Sequence, residues 1–228
     1  MKKIIDILLS ARRGINMLTF QSSEKYWIER YKSGGNSGFG SYGELARFKA
    51  DTVNTFVSVH KVQSIIEFGC GDGNQLTLAK YPCYHGFDVS PDAIAICRKQ
   101  FADDATKHFS LMCDYSGESA ELALSLDVLY HLVEDEVYCR YLHQLFTSAQ
   151  RYTIIYSTNK KNTFLTGAHI KHRLFINWIE ENITGWQLTA HIPGFSNPVG
   201  GKPMDADFFI FEKKLENAEN SRKPGALT

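Results

Sequence analysis

The 228-residue sequence has no excess of charge of either sign, because 25 lysine and arginine residues balance 25 aspartate and glutamate residues. A chain without net charge has no long-range field that collects polyanions, so the composition argues against nucleic acid as a partner. The apolar share of 43% and the charged share of 22% are typical of a globular protein and exclude wholesale disorder. The length suffices for one sizeable α/β domain or two small ones.

Cysteine is scarce as well. The five cysteines are widely spaced and odd in number, and no C-x-x-C pair occurs. A disulfide framework requires paired cysteines and a zinc site requires closely spaced ligands, so we expect neither a disulfide framework nor a metal. Unpaired thiols favour a reducing compartment, and the sequence therefore predicts a cytoplasmic protein.

The sequence also lacks a long hydrophobic run. The apolar residues 4–9 near the N-terminus are interrupted by Asp6, and Arg12 and Arg13 follow without a small-residue cleavage site. This stretch is too short to span a bilayer, so we predict neither a signal peptide nor a membrane span. We interpret it as a packing helix, with an amphipathic surface helix as the alternative.

Short β-prone runs alternate with segments of helical period along the rest of the chain. The predicted strands are 64–68, 84–89, 108–114, 122–128, 152–158, 186–192 and 206–214, and the predicted helices are 24–32, 44–59, 74–80, 91–101, 133–149 and 169–182. This alternation, closed by a pair of strands, predicts an α/β protein with a doubly wound, mostly parallel, seven-stranded sheet.

The composition divides the chain into three parts: N-terminal helices with a glycine-rich lid over 1–60, an α/β domain over 61–213, and a frayed tail over 214–228. Residues 33–43 contain five glycines and cannot hold a helix. We interpret this segment as a mobile lid that contacts the cofactor or acceptor through Ser41 and Tyr42. A passive linker is the alternative.

A glycine-rich turn, residues 69–73 (GCGDG), follows the first predicted strand. Asp88 lies nineteen residues after the first glycine, at the end of the second predicted strand, where a carboxylate can accept both ribose hydroxyls. The third glycine of a dinucleotide motif is replaced by Asn74, and Asp72 places a negative charge where a pyrophosphate would lie. The turn therefore favours a ligand without phosphates. Asp72 and Gln75 are also a predicted capping pair for the next helix.

In order, EFGCGDG, GFDVSPDAI and Asp114 resemble the first three motifs of class I S-adenosylmethionine-dependent methyltransferases, over residues 64–160. The resemblance implies that residues 61–213 form a methyltransferase domain. It implies that the glycine turn passes the methionine part of the cofactor, that Asp88 holds the ribose, that Asp114 with Tyr115 faces the adenine, and that Glu67 anchors the turn or reaches the cofactor's ammonium through water.

Upstream, the sequence YWIERYKSG is similar to a W-x-x-x-Y-x-x-G lid of several such enzymes, which implies that Trp27 and Tyr31 close over the methionine end. Plain core packing is the alternative for both rings. Further stretches resemble a bacterial subgroup of small-molecule type that leaves the acceptor open. The full set of implied cofactor contacts is Trp27, Tyr31, Glu67, Gly69, Cys70, Gly71, Asp88, Val89, Asp114, Tyr115 and Leu126.

Methyl transfer from a sulfonium depends mainly on alignment and on the exclusion of water. A general base is needed only when the acceptor must lose a proton, as an alcohol must. His131, just after the fourth predicted strand, is the predicted base, and a packing histidine is the alternative. Asp127 is expected to orient His131 or to cap the intervening turn.

Four side chains are predicted acceptor contacts: Tyr42, Tyr130, His172 and Arg173. Arg173 offers a planar set of donors for an anionic or hydroxylated acceptor, although a surface arginine is an equal alternative. The fourth strand lacks the Pro-Pro-aromatic box of enzymes that methylate nucleobase or glutamine nitrogens. We therefore predict methyl transfer to an oxygen or nitrogen of a small-molecule or sugar-containing acceptor. The alternatives are a protein side-chain methyltransferase, a non-catalytic cofactor-binding accessory protein and a nicotinamide oxidoreductase.

Overall fold

The computed structural model describes residues 20–162, 167–195 and 205–214. The predicted N-terminal helix and all but the first residue of the predicted tail lie outside these ranges. Within the ranges, the strands are β1 Ser64–Phe68, β2 Cys83–Asp88, β3 Lys107–Leu111, β4 Ala120–Leu126, β5 Ala149–Ser157, β6 Trp186–Ile192 and β7 Asp207–Lys213. The helices are α1 Ser23–Lys32, α2 Gly43–Val59, α3 Pro91–Gln100, α4 Asp135–Thr147 and α5 Phe175–Asn182. No described helix is both long and apolar enough to cross a membrane.

The strands form one sheet in the order β3-β2-β1-β4-β5-β7-β6. Strands β1 to β5 pair in parallel, and β7 runs antiparallel to both β5 and β6. The chain proceeds outward from β1 to β3 and then returns to β4, so the winding direction reverses between β1 and β4. Open α/β sheets bind ligands beyond the strand ends at such a reversal. The predicted doubly wound, seven-stranded sheet is confirmed.

Apolar side chains pack on both faces of the sheet. One cluster joins the sheet to α2 and α3, for example through Val53 and Ile94, and the other joins it to α4 and α5 through Leu142 and Phe175. In β5, Ile154 belongs to the first cluster and the adjacent Ile155 to the second, because successive side chains of a strand point to opposite faces. The predicted double coverage of β5 is confirmed.

The helix predicted over 74–80 is wrong. Gln75–Leu78 form a single 3₁₀ turn, and Ala79 is already extended. Seven residues followed by Pro82 are too few to nucleate an α-helix without strong packing. The predicted capping pair is also absent: Asp72 accepts a hydrogen bond from the N–H of Asn74, while the Gln75 side chain donates to the carbonyl of Ala46.

Helix α5 begins at Phe175, six residues later than predicted. The N–H of Lys171 donates to the carbonyl of Tyr130 at 2.8 Å, so the preceding irregular segment crosses the turn that follows β4. This crossing brings His169 next to His131, with 5.6 Å between the ring centroids. The irregular segment before α5 therefore packs against the turn that follows β4.

Candidate functional site

A cavity of about 550 Å³ opens over the carboxyl ends of β1 and β4. Helix α1, the glycine-rich segment 33–43, helix α4 and the ends of β2 and β3 also contribute to its lining. Nine of the eleven predicted cofactor contacts line it: Trp27, Tyr31, Glu67, Gly69, Cys70, Gly71, Asp88, Val89 and Leu126. The predicted base His131 and the predicted lid contact Ser41 line the same cavity.

The glycine turn presents bare backbone to this cavity. Gly69 and Gly71 adopt φ values of 86° and 60°, a region that favours glycine. A Cβ at Gly69 would approach Val128 to 2.5 Å, and one at Gly71 would clash with the Ser37 hydroxyl. The turn is tied to β2 because the N–H groups of Gly69 and Cys70 both donate to the carbonyl of Phe87. Only glycine fits both positions, so a ligand can approach the main chain closely.

Asp88 lies buried at the tip of β2. Its Oδ2 accepts from the N–H of Gly71 and its Oδ1 from the N–H of Ser90, each at 2.9 Å. Burial raises the pKa of Asp88, and these backbone donors oppose the rise. A carboxylate offers about four acceptor sites, so both oxygens retain lone pairs for further donors. The side chain is therefore held rigidly and can still accept two hydroxyl hydrogens.

Glu67 lies in the floor of the cavity and is 6% exposed. The Tyr84 hydroxyl donates to its Oε2 at 2.6 Å. Burial raises the pKa of Glu67 to about 7, against the opposing effects of Tyr84 and the Lys49 ammonium. A buried carboxyl group with this pKa is well suited to bind a cationic ligand group, which would favour its ionised form.

His131 is held by the segment before α5. Its Nδ1 lies 3.1 Å from the carbonyl oxygen of His169, and because a carbonyl only accepts, Nδ1 carries the proton. The Trp27 ring meets the imidazole edge-on at 4.9 Å. Burial lowers the pKa of His131 to about 4. The ring is therefore neutral at pH 7, with its unprotonated Nε2 available as an acceptor.

Asp72 fastens the glycine-rich segment to the glycine turn. Its carboxylate accepts from the N–H and the hydroxyl of Ser37, at 2.9 and 2.7 Å, and from the hydroxyl of Tyr42 at 2.8 Å. The Asn74 amide donates to the carbonyl of Ser41 at 2.6 Å. The desolvation of Asp72 would raise its pKa, but the hydrogen bonds that it accepts from Ser37, the Asn74 N–H and Tyr42 outweigh this effect. The pKa of Asp72 is therefore lowered. The segment thus lies directly over the cavity.

A buried ion pair joins α2 to the end of β4. Lys49 Nζ lies 2.6 Å from Asp127 Oδ2, and the lysine side chain is 1% exposed. The Tyr130 hydroxyl donates to the other Asp127 oxygen at 2.7 Å. Asp127 has a φ of 62°, which is uncommon for a residue other than glycine. Asp127 therefore holds Tyr130, the residue before His131, rather than bonding His131 itself.

Sequence reasoning missed Lys49, Ser37 and Gln75, all of which line the cavity. A usable signal existed for Lys49, because it interrupts an apolar stripe at the helical spacing of Leu45 and Val53. No local pattern marks Ser37. One face of α4 also lines the cavity, although the sequence indicates no function for it. Its residues are Val137, Arg140, Tyr141 and Gln144.

Two predicted cofactor contacts lie outside the lining. Asp114 is exposed, while its neighbours Met112 and Cys113 line the cavity. The Tyr115 ring packs edge-on against Phe68 at 5.3 Å, and its hydroxyl donates to the carbonyl of Glu118. Both residues nevertheless lie within three positions of the lining at the end of β3.

The four predicted acceptor contacts also lie outside the lining. The Tyr130 hydroxyl donates to Asp127, which lines the cavity, whereas the Tyr42 hydroxyl donates to Asp72, which does not. His172 Nδ1 lies 2.6 Å from the Thr158 hydroxyl. Arg173 donates to the carbonyls of Leu132 and Val133 at 2.7 and 2.9 Å and to Asp135 at 2.6 Å. Arg173 thus holds the segment that leads into α4. No group of three or more metal-ligating side chains occurs among the described residues.

Solved structures with this fold include known methyltransferases. Magnesium protoporphyrin IX methyltransferase from Synechocystis PCC 6803 with bound SAH superposes with a TM-score of 0.61 and 14% identity, over 84% of this chain and 98% of that one. The N-methyltransferase NodS from Bradyrhizobium japonicum WM9, in complex with S-adenosylhomocysteine, gives a TM-score of 0.63 and 12% identity, over 85% and 99%. The methyltransferase domain of bacterial CtHen1 gives 0.59 and 18%, over 75% and 100%.

No protein-family model and no curated protein sequence matches the chain. At the identities of the structural matches, the likeness establishes the fold alone. The strand order with an antiparallel β7 is that of the class I S-adenosylmethionine-dependent methyltransferases.

Proposed function

We propose that the protein is an S-adenosylmethionine-dependent methyltransferase that transfers a methyl group to an oxygen or nitrogen of a small-molecule or sugar-containing acceptor. The observation that carries the proposal is the convergence of Glu67, the glycine turn, Asp88 and His131 on one cavity at the reversal of the sheet. The fold supports it, because the structural matches include methyltransferases solved with S-adenosylhomocysteine.

The lining fits the cofactor in size and in charge. A volume of about 550 Å³ lies within the usual range of small-molecule sites. The cofactor carries a sulfonium and an ammonium against a single carboxylate. The cavity offers the carboxyl groups of Glu67, Asp88 and Asp127, whereas its cations are Lys49, which Asp127 already neutralises, and the exposed Arg140. An excess of acidic groups favours a cationic ligand over a phosphate.

Each part of the cofactor has a complementary partner in the lining. Glu67 would bind the ammonium, directly or through water, and the bare backbone of the turn would lie along the methionine chain. The lone pairs of Asp88 would accept the ribose hydroxyls, as its rigid position at the β2 tip permits. Trp27 and Tyr31 would cover the methionine end, while Met112 and Cys113 would border the adenine in place of the exposed Asp114.

The cofactor supplies a methyl group on a sulfonium that is already a good leaving group. The chain therefore has to align the acceptor and exclude water, and correct positioning contributes on the order of 7–11 kcal/mol. Ser37 and Ser41 of the overlying segment exclude solvent from above. His131 is neutral at pH 7, so its Nε2 can take the proton that a hydroxyl acceptor releases without first losing one of its own.

Thermal unfolding with and without ligand tests the cofactor assignment. At a hundredfold excess over Kd, S-adenosylhomocysteine should stabilise the fold by about 2.7 kcal/mol and raise Tm by roughly 5–10 °C. NAD should leave Tm unchanged. The Asp88→Ala variant should lose the shift, while Asp92→Ala, at an exposed position on α3, should retain it. Equal shifts with both ligands would refute the assignment.

A further inference from the structure

Two of the free cysteines lie buried together beside the proposed cofactor site. Cys70 belongs to the glycine turn and Cys97 to the middle of α3, and they are 8% and 0% exposed. The Cys97 thiol donates to the carbonyl oxygen of Gly71 at 3.2 Å, and the Cys70 sulfur lies 3.9 Å from the same oxygen. Both sulfur atoms therefore approach the same carbonyl oxygen, and the neighbouring Cys97 thiol together with burial raises the pKa of Cys70.

We propose that Cys70 and Cys97 form a reversible disulfide, driven by a peroxide, that closes the cofactor site. The two partners differ in access: Cys70 lines the cavity, whereas Cys97 is covered by α3 and the turn. A peroxide that enters the cavity therefore meets Cys70 first. The effect on cofactor binding rests on the proposed function, whereas formation of the bond does not.

The reaction proceeds in two balanced steps. The Cys70 thiol first loses its proton, and the thiolate attacks one peroxide oxygen while the O–O bond breaks. Cys70 becomes a sulfenic acid, and the departing hydroxide takes up the proton released by the thiol to form one water. The Cys97 sulfur then attacks the Cys70 sulfur, the S–O bond breaks, and a second water leaves. In total, two thiols are oxidised and one hydrogen peroxide is reduced to two waters. A thiol reductant reverses the reaction by exchange.

The bond would displace the glycine turn. A disulfide holds its sulfur atoms about 2.05 Å apart, closer than the contact distance of two free thiols. Cys97 is fixed in a helix whose first turn is capped by Ser90, so the turn has to move toward α3. The same turn holds Asp88 through the N–H of Gly71. We therefore expect oxidation to weaken S-adenosylhomocysteine binding by at least tenfold.

The test isolates the pair by removing the other thiols. Cys83 and Cys113 are exposed and Cys139 is partly buried, so the variant Cys83→Ser/Cys113→Ser/Cys139→Ser retains only Cys70 and Cys97. This variant is treated with hydrogen peroxide at pH 8.5, where more thiolate is present, and then with catalase. Mass spectrometry should show a loss of two hydrogens and a cross-linked peptide that contains both cysteines.

Calorimetry with S-adenosylhomocysteine then measures the consequence. Affinity should fall at least tenfold after oxidation and return after dithiothreitol. With Cys97→Ser added, a change that keeps a donor for the Gly71 carbonyl, peroxide should give no cross-link. Oxidation of Cys70 to sulfinic acid without a cross-link would overturn the proposal, as would a cross-link that leaves affinity unchanged. Failure of the reduced unmodified protein to bind the ligand would refute the proposed function, while the mass measurement would still decide whether the disulfide forms.

Discussion

Ser37 and Asp72 are joined by three hydrogen bonds. The N–H and hydroxyl of Ser37 donate to the two carboxylate oxygens at 2.9 and 2.7 Å, and the N–H of Asp72 donates to the Ser37 hydroxyl at 3.1 Å. The Tyr31 hydroxyl lies 2.8 Å from the same serine oxygen. One carboxylate of the glycine turn therefore links the overlying segment to the aromatic face of α1.

Replacement of Asp72 should release the glycine-rich segment. In Asp72→Ala, the donors of Ser37 and Tyr42 lose charge-assisted partners worth roughly 1.5–3 kcal/mol each. Chymotrypsin can cleave after Phe39, which is 81% exposed, so its cleavage rate should rise more than tenfold. Asp103→Ala, at an exposed site, is the control. Saturating S-adenosylhomocysteine should slow cleavage of the unmodified protein, and equal rates in all samples would mean that the segment is only a linker.

His131→Ala should impair turnover without loss of cofactor affinity. Removal of a general base costs typically 10²–10⁴-fold in rate, whereas S-adenosylhomocysteine affinity should change less than threefold. Because the pKa of His131 is about 4, its protonation should not lower the rate of the unmodified protein between pH 8 and pH 5. The acceptor is first identified by screening extracts with radiolabelled cofactor. His108→Ala, at an exposed position on β3, is the control. A normal rate in His131→Ala would show that His131 is not the general base.

The fold and part of the cavity could be predicted because their signals are local. Strand periodicity and a glycine-rich turn predict where β1 and β2 end, and therefore place Glu67 and Asp88 at strand ends from sequence alone. Helical period alone predicts a helix over 74–80, but periodicity takes no account of tertiary contacts or of Pro82. The tertiary contact of Gln75 with the Ala46 carbonyl and the nearby proline decided the conformation instead.

Residues that depend on distant docking could not be predicted. Ser37 meets Asp72 across 35 positions and Lys49 meets Asp127 across 78, and no spacing rule relates them. Arg173 was considered for anion recognition because of its donors, yet the carbonyls of Leu132 and Val133 use them. A donor set is visible in a sequence, whereas the acceptors that it finds depend on how the segments pack.

Glu67 should make the fold less stable as the pH rises. Its pKa is raised by burial from 4.5 to about 7, so the folded state retains a proton that the unfolded state releases between these values. Its stabilising contribution is therefore present below pH 4.5 and lost by pH 7. From pH 5 to pH 8, urea unfolding should show the unmodified protein losing roughly 2–3 kcal/mol relative to Glu67→Gln, which still accepts from Tyr84. A constant difference across this range would show that Glu67 titrates normally.

Removal of Lys49 alone from its ion pair with Asp127 should destabilise the fold. Lys49→Met leaves the Asp127 carboxylate with only the Tyr130 hydroxyl, and an unpaired buried charge typically destabilises a fold by 3–5 kcal/mol. Asp127→Asn in the same chain removes that charge, and asparagine tolerates the positive φ of this position. The double variant should therefore unfold at a higher urea concentration than Lys49→Met alone. Lys32→Met, which breaks the exposed pair with Glu29, should cost less than about 1 kcal/mol. If the double variant were the less stable of the two, the Asp127 carboxylate would stabilise the fold independently of the Lys49 ammonium.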